Sequence, residues 1–468
     1  MASGKPALRP LIGVLMEPSV VRSLSGWGRF PVESCRVFRP EKRSSLEEIL
    51  SSDAEASYIA RGLGRSYGDA ALNHLGGVIS FERLNRLIAF DPATGVLECE
   101  AGVTLAEILE LAVPRGYYLP VTPGTKFVTL GGAIANDIHG KNHHRVGTLS
   151  NFVLDFRLQT PQGEVITCSP RQNTDSFWAT VGGLGLTGLL VSARLRLQPI
   201  STAYVLVDFL KVSHFEEALA AMAESDHLYE FSVAWIDCLA RGKALGRSIL
   251  MRANPATPGD LPAEFEDPLS PGRRPKRSIP FDFPSGLLNA ATVGAFNSFF
   301  YGLHRTASGV LVDLDRFFYP LDSIQDWNRM YGRRGFVQYQ LVFPLETSRA
   351  GLTEVLERVS ASGRGSFLGV LKRFGDANAG VLSFPFPGYT LALDLPVSDG
   401  LVPFLRDLDA VLLRHGGRVY PAKDAVTTRD SFAAMYPRVE EFRAIKARLD
   451  PKNRLSSSLA RRVGIVLS

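Results

Sequence analysis

The chain has 468 residues, 45% of them hydrophobic, more apolar material than one ordinary core takes up, which implies two packed units. Its 52 basic residues exceed its 47 acidic ones by a small surplus spread along the chain, so a formal charge of +5 does not require nucleic acid as a partner. Cys35, Cys99, Cys168 and Cys238 stand far apart without a CxxC pair, which suggests neither a zinc site nor a disulfide framework and fits a reducing compartment.

In chain order, LIGVLM at 11–16 is too short for the apolar region of a signal peptide and Glu17 follows it directly; no run elsewhere approaches a membrane span. The chain therefore reads as cytoplasmic, or peripheral to the inner membrane. From Ser57 to about Pro199 short strands and short helices are punctuated by glycine. A strand, a turn at Ala93 to Gly95 and a second strand lead to a helix of about ten residues from Thr104, stopped by Gly116. A hairpin turning at Pro161 to Gly163 follows, and residues 189–199 alternate like a half-buried strand.

After Ile200 the elements lengthen. Strands are expected at 204–211, 230–237 and in FVQYQLVFP, SFLGVLKRF and YTLALDLP, with helices at 214–225, in LTEVLERVSAS and in LVPFLRDLDAVLLRHGG. Strands of this kind with helices on one face predict an α+β sheet ending near Gly417, broad enough to cover a cofactor. Residues 254–290 are rich in Pro and Gly and hold the basic cluster Arg273, Arg274, Lys276 and Arg277, a composition that belongs to a lid or a disordered loop. A solvated surface loop is the simpler reading of that cluster, and a phosphate or membrane contact the sharper one. For Phe281, Phe283, Phe296, Phe299, Phe300 and Tyr301 core packing is the default expectation, with an apolar channel as the alternative.

Three glycine-rich segments carry the chemistry: ARGLGRSYGDAALN at 60–73, PGTKFVTLGGAIANDIHGKNHH at 123–144 and FWATVGGLGLTG at 177–188. Glycines this dense, with Ser, Thr, Asn and Asp between them, let the backbone turn tightly and aim N–H groups at an anion such as a pyrophosphate. A bound dinucleotide follows. GGLGLTG contains GxGxxG at Gly183, Gly185 and Gly188, but a helical pattern precedes it and an alternating strand follows, the reverse of a Rossmann fingerprint, so a Rossmann site is rejected. His139, His143 and His144 invite a metal, yet Gly140 interrupts them, HExxH is absent and Asp137 has no second acidic partner nearby, so no metal is expected.

The three segments, with QYQ at 338–340, YPAKD at 420–424 and MYPRV at 435–439, resemble FAD-linked oxidases of the vanillyl-alcohol oxidase and p-cresol methylhydroxylase (PCMH) type, and more closely the decaprenylphosphoryl-β-D-ribose 2′-oxidase family. The resemblance runs from about residue 55 to the C-terminus. It implies a two-domain α+β fold: a PCMH-type FAD domain at 15–198, an antiparallel-sheet substrate domain with helices on one face at 199–417, and a segment at 418–468 completing the FAD domain. It implies FAD contacts from Arg61, Gly62, Leu63, Gly64, Arg65, Ser66, Tyr67 and Gly68 in the first loop. Further contacts are implied from Gly124, Thr129, Leu130, Gly131 and Gly132, from Asn136, Asp137, Ile138 and His139, and from Leu190 and Tyr420. Covalently flavinylated relatives carry His in the first loop where this chain has Arg65, and neither cofactor loop holds Cys, so noncovalent FAD is expected.

The resemblance also implies a substrate pocket of Tyr67, Lys141, Trp235, Gln338, Gln340, Lys372 and Lys423. Lys423 and His139 are the expected catalytic pair: oxidising a secondary alcohol by hydride transfer requires a group that accepts the hydroxyl proton or stabilises alkoxide character. A lone lysine before Asp424 would more simply be a surface ion pair; the YPAKD match favours function. Gln338 and Gln340 alternate on a strand and share a face, where their amides can bond sugar hydroxyls. Lys141 and Lys372 suit a phosphate. The expected activity is FAD-dependent oxidation of the 2′-hydroxyl of a polyprenyl-phosphoryl-β-D-ribose, a lipid-linked phospho-sugar, as the first half of an epimerisation to arabinose. A separate NAD(P)H-dependent short-chain reductase would complete it, and peripheral membrane contact is an added expectation. The chain departs from the family pattern on the substrate side at Asn136, Phe318, Thr390 and Ala392. The rival readings are an FAD-dependent oxidase of a soluble sugar, polyol or aldonolactone, and a noncatalytic flavin scaffold.

Overall fold

Short segments between glycines build the first part of the chain in a computed structural model that describes residues 19–52, 54–270 and 277–466. Strands β1 (Ser19–Ser25) and β2 (Val32–Phe38) pair antiparallel. After helix α1 (Ser44–Ser51) come β3 (Tyr58–Arg61) and β4 (Gly77–Ser80), giving the order β1-β2-β4-β3 with β4 parallel to both its neighbours. The hairpin β5 (Leu87–Asp91) and β6 (Val96–Glu100) turns through Gly95, whose φ of 69° few side chains tolerate. Helix α2 (Leu105–Ala112) opens with a capping box in which Thr104 and Glu107 satisfy each other's backbone N–H, and it runs out at Gly116. Helix α3 (Leu130–Ala135), the hairpin β7 (Val153–Gln159) and β8 (Val165–Cys168), helix α4 (Thr174–Thr180) and strand β9 (Leu189–Arg196) follow. The second sheet is antiparallel in the order β5-β6-β9-β7-β8. GGLGLTG thus lies after a helix and before a strand, as its sequence context implies.

The longer elements make an eight-stranded antiparallel sheet. Its parts in chain order are β10 (Tyr204–Val212), α5 (Phe215–Ser225), β11 (Phe231–Ile236), β12 (Ser248–Pro255), α6 (Ala290–Leu303), β13 (Ala307–Asp313), β14 (Phe336–Pro344), α7 (Leu345–Ser362), β15 (Gly369–Phe374), β16 (Gly388–Pro396), α8 (Leu401–Arg414) and β17 (Arg418–Val419). The order is β13-β10-β12-β11-β15-β16-β14-β17. Alternation decides what each face meets: Tyr339, Leu341, Leu371, Leu391 and Leu393 point into one core with Phe215 and Met222 of α5, Val355 and Leu356 of α7 and Leu405 and Leu408 of α8. Each such leucine, removed from water, contributes about 1.5–3 kcal/mol. The helices therefore cover one face and leave the other to a polar row.

The last helices, α9 (Arg429–Met435), α10 (Val439–Leu449) and α11 (Ser458–Arg462), return to the first sheet. Tyr58 N–H donates to the Arg454 carbonyl (2.7 Å) and Ser456 N–H to that of Tyr58 (2.9 Å). Arg462 binds Asp69 at 2.7 Å and Asp424 at 3.0 Å, locking the first glycine loop to the segment after Tyr420.

The aromatic cluster after residue 280 corrects the expectation of core packing. Phe281, Phe296 and Phe299 are 62%, 43% and 65% exposed, and Leu303 of the same helix 64%. Helix α6 buries only Val293 and Asn297, and Asn297 donates to Asp237 (2.8 Å), so the helix is held by a polar contact while its aromatic side faces outward. Of the basic cluster, Arg273, Arg274 and Lys276 lie outside the described residues, as do residues 11–17. No helix among the described residues is long and apolar enough to cross a membrane.

Candidate active site

The polar face of the large sheet closes over the glycine segments and encloses a deep cleft, whose empty space including its mouth is about 1860 Å³. Register fixes what the sheet presents: Gln338 stands opposite Asp394, Gln340 opposite Ala392, Lys372 opposite Thr390 and Trp235 opposite Val370. Gln338, Gln340, Lys372, Val370 and Ala392 line the cleft from this side. From the other side come Arg61 to Tyr67, Gly124, Thr129, Gly131, Gly132, Asn136, Ile138, His139, Leu190, Tyr420 and Lys423.

Backbone packing places Lys423. Tyr67 N–H donates to the Ala422 carbonyl (3.1 Å), and a Cβ on Gly68 would lie 1.8 Å from the Asp424 carbonyl oxygen. Glycine at 68 is what allows the two loops to touch. The Lys423 ammonium then sits 3.8 Å from the centre of the Tyr67 ring. Asp424, the partner of a bland surface pair, is instead buried and bound to Arg462, so it does not neutralise Lys423.

A buried carboxylate does face that lysine electrostatically. Asp394 is completely buried, its Oδ1 accepts from Gln338 Nε2 at 2.5 Å and its Oδ2 has no hydrogen-bond partner. Burial pushes the Asp394 carboxyl up and the Lys423 ammonium down, and each group opposes the other's shift; Lys372 depresses Lys423 further. Tyr67 is pushed well up, first by burial and then by Asp394.

His139 stacks edge-on against Phe374 (4.8 Å between ring centres), and its Nε2 lies 2.9 Å from Gln340 Nε2. With the amide donating, the ring proton resides on Nδ1, which has no protein partner. Burial first, then Lys372, His143 and Lys423, holds the imidazole well below its ordinary pKa, so it is a neutral hydrogen-bond donor. Gln340 also donates to Thr390 Oγ1 (3.2 Å). Lys372 is lowered to about 8 by burial and Lys141 to about 7 by burial and then by Lys372.

Five expected contacts fall away from the cleft wall. Asp137 turns into a buried network with Ser150 (2.9 Å) and Asn378 (2.7 Å), and it bonds Ser383 as well. Leu130 packs in the core, and Gly68 backs onto Asp424. Lys141 donates to the Phe317 carbonyl with its ammonium over the Phe317 ring. Trp235 gives its Nε1–H to the Phe367 carbonyl (3.0 Å) and packs on Phe300. Arg61 does line the wall, but its guanidinium is committed to the carbonyls of Ser25 (2.7 Å) and Ala71 (3.2 Å). Sequence reasoning missed Asp394, and also Trp27, Leu321 and Asp322 on the wall; Trp27 carries the Arg65 guanidinium 3.8 Å above its ring.

The donor set suits a flavin dinucleotide. Gly62, Gly64, Gly131 and Gly132 offer only backbone to the cleft, and a Cβ at Gly124 would meet nothing within 4 Å, so the surface is open there to a ligand. Arg65 Nε, Asn136 Oδ1 and His139 Nδ1 are buried on the wall without protein partners, which a buried polar group rarely tolerates. Apolar Val128, Ile138, Leu184 and Leu190 complete a face for aromatic rings. Among the described residues no group of side chains could hold a metal ion.

Comparison with known proteins agrees. Residues 36–169 match the family model of an FAD binding domain. The chain is 38% identical over 455 residues to decaprenylphosphoryl-β-D-ribose oxidase of Mycolicibacterium smegmatis, covering 96% of this chain and 99% of that protein. It is 35% identical to an uncharacterized protein of Streptomyces coelicolor over 78% of this chain and all of that one. Cytokinin dehydrogenase 1 of Arabidopsis thaliana is 29% identical over 32% of this chain and 26% of its own length. A near-complete match to the mycobacterial enzyme, over a cleft built for a dinucleotide, shows that the chain belongs to the decaprenylphosphoryl-β-D-ribose oxidase family and is an FAD-dependent oxidoreductase.

Proposed function

We propose that this protein oxidises the 2′-hydroxyl of a polyprenyl-phosphoryl-β-D-ribose to the 2′-keto sugar with noncovalent FAD. The observation that carries the reading is the set of Lys423, Gln338, Gln340, Lys372 and His139 on one enclosed cleft: a proton-handling lysine, two amides for sugar hydroxyls and a cation for a phosphodiester. FAD, when bound, supplies the acceptor for the hydride that leaves the carbinol carbon. Lys423 Nζ in its amine form, favoured by burial, takes the hydroxyl proton as that hydride departs. His139 Nδ1–H, neutral and unpartnered, donates to an acceptor in the cleft without changing its own charge.

Noncovalent binding is supported by the absence of cysteine from the wall, since Cys35, Cys99, Cys168 and Cys238 are buried elsewhere, and by Arg65 at the position of the attaching histidine. The division at 15–198, 199–417 and 418–468 belongs to the same reading, with β17 (Arg418–Val419), the edge strand of the large sheet, just past the second boundary. A lipid-linked substrate also explains the outward face of α6, where Phe296, Phe299 and Leu303 stand beside exposed Arg305, with Lys211 and Arg247 against Tyr301. Aromatic residues rimmed by cations suit peripheral contact with an anionic bilayer. Phe296 and Phe300 continue to Phe367 and Trp235 beside the cleft, so the apolar path favours a polyprenyl tail over a soluble sugar. With no second nucleotide motif in the chain, reduction of the keto sugar falls to a separate NAD(P)H-dependent short-chain reductase. Trapping the product with borodeuteride and locating the deuterium tests the position: label at C2′ supports the reading, and label at another carbon rejects it.

A further inference from the structure

Asp394 is a buried ionisable group beside the cleft that the proposed chemistry leaves without a task. It lies on β16 directly across from Gln338, holds that amide with one oxygen and leaves the other oxygen bare in a region closed to water. A carboxylate used only to anchor a glutamine would be costly, because a buried charge is tolerated when it is paired and fully hydrogen-bonded. Gln338 and Lys423 line the same cleft, Lys423 coming from a different part of the chain with its ammonium over the Tyr67 ring, and the Asp394 and Lys423 charges act on each other.

We propose that Asp394 is a positioning residue for the oxidation, one that aims the Gln338 amide into the cleft and sets the proton occupancy of Lys423. The groups facing Lys423 from every packed element agree with this assignment. Tyr67 gives its ring face from the first loop, while Lys372 on β15 and His139 after α3 are a cation and a neutral imidazole. Asp424 beside it is tied to Arg462, and Tyr331 lies near Asp394. Asp394 is thus the carboxylate that offsets the lysine's charge once Nζ has taken the substrate proton.

The variant Asp394→Asn separates charge from shape, since its side-chain oxygen can still accept from Gln338. The probe is competitive acetylation with acetic anhydride across a pH series on the FAD-loaded protein, read peptide by peptide in a mass spectrometer, with Lys372 as internal reference because burial alone shifts it. Loss of the Asp394 charge removes an interaction that favours the ammonium form, so Lys423 should titrate lower, by about 1 unit, in Asp394→Asn while Lys372 stays in place. The acid limb of kcat should move with it, with KM nearly unchanged. Asp394→Glu keeps the charge and should hold the Lys423 titration near wild type while raising KM through a displaced Gln338; it also carries the test should Asp394→Asn not accumulate. Lys423 titrating at the wild-type pH in Asp394→Asn, or shifting with Lys372 by the same amount, overturns the proposal. This inference rests on the proposed oxidation only for its kcat arm: a wrong substrate silences turnover in the wild type as well, whereas the labelling arm reports on Asp394 regardless.

Discussion

Gly68→Ala perturbs catalysis without removing any functional group. The added methyl would stand 1.8 Å from the Asp424 carbonyl oxygen, whereas real Cβ atoms essentially never come within 3.0 Å of a neighbour. The obstacle is backbone, so the glycine loop and the Lys423 loop must part by about 1 Å, a misplacement that can cost on the order of 10²-fold in rate. Overpacking of this kind also removes about 1–3 kcal/mol of stability, which a thermal melt of the FAD-loaded protein will show. The assay is the anaerobic single-turnover rate of flavin bleaching with a short-chain polyprenyl-phosphoryl-ribose. Gly68→Ala should retain yellow flavin and bleach about 10²-fold more slowly, and in a Lys423→Ala background the same change should add little, because both act through one side chain. A rate within about threefold of wild type, or a full additional 10²-fold loss on top of Lys423→Ala, would refute the claim that this glycine acts by placing Lys423.

The other expectations follow from the same geometry. Substrate affinity should fall as pH rises through 8, because Lys372 on the cleft wall is charged below about 8 and a phosphodiester anion binds its ammonium form; the substrate itself does not titrate there, so Lys372→Met should flatten the dependence seen by equilibrium titration. Denaturing the yellow protein in acid and filtering it should release all the FAD into the filtrate, and flavin retained on the polypeptide would contradict noncovalent binding. Phe299→Glu with Leu303→Glu should abolish co-flotation with vesicles rich in anionic lipid and leave turnover of a detergent-dispersed short-chain substrate within about twofold, since surface substitutions of this kind change stability little.

Local pattern made much of this legible. Alternation in FVQYQLVFP put Gln338 and Gln340 on one face, and the glycine segments announced a dinucleotide before any contact was known. The signal for Asp394 lay in YTLALDLP, where Leu391, Leu393 and Leu395 alternate with Thr390, Ala392 and Asp394, so the acid shares the face of the two glutamines; its partner Lys423 comes from elsewhere, which periodicity cannot show. Trp27 and Asp322 were out of reach for the same reason, as both enter the cleft from segments without a motif. Asp137 and Lys141 were read into the cleft on the family resemblance, but in a tight turn successive side chains diverge, and these two turn to Asn378 and Phe317 instead. For the phenylalanines of α6 core packing was the default and an apolar channel the alternative; the default fails where a helix is held by a polar residue such as Asn297 and turns its aromatic face outward.

The most direct measurement is an anaerobic titration of the FAD-loaded protein with polyprenyl-phosphoryl-β-D-ribose, followed at the oxidised flavin band. Stoichiometric bleaching by the lipid-linked sugar, and none by free ribose, polyols or aldonolactones, is what the account predicts. A flavin that stays oxidised with the lipid-linked sugar yet bleaches with a soluble one would contradict it.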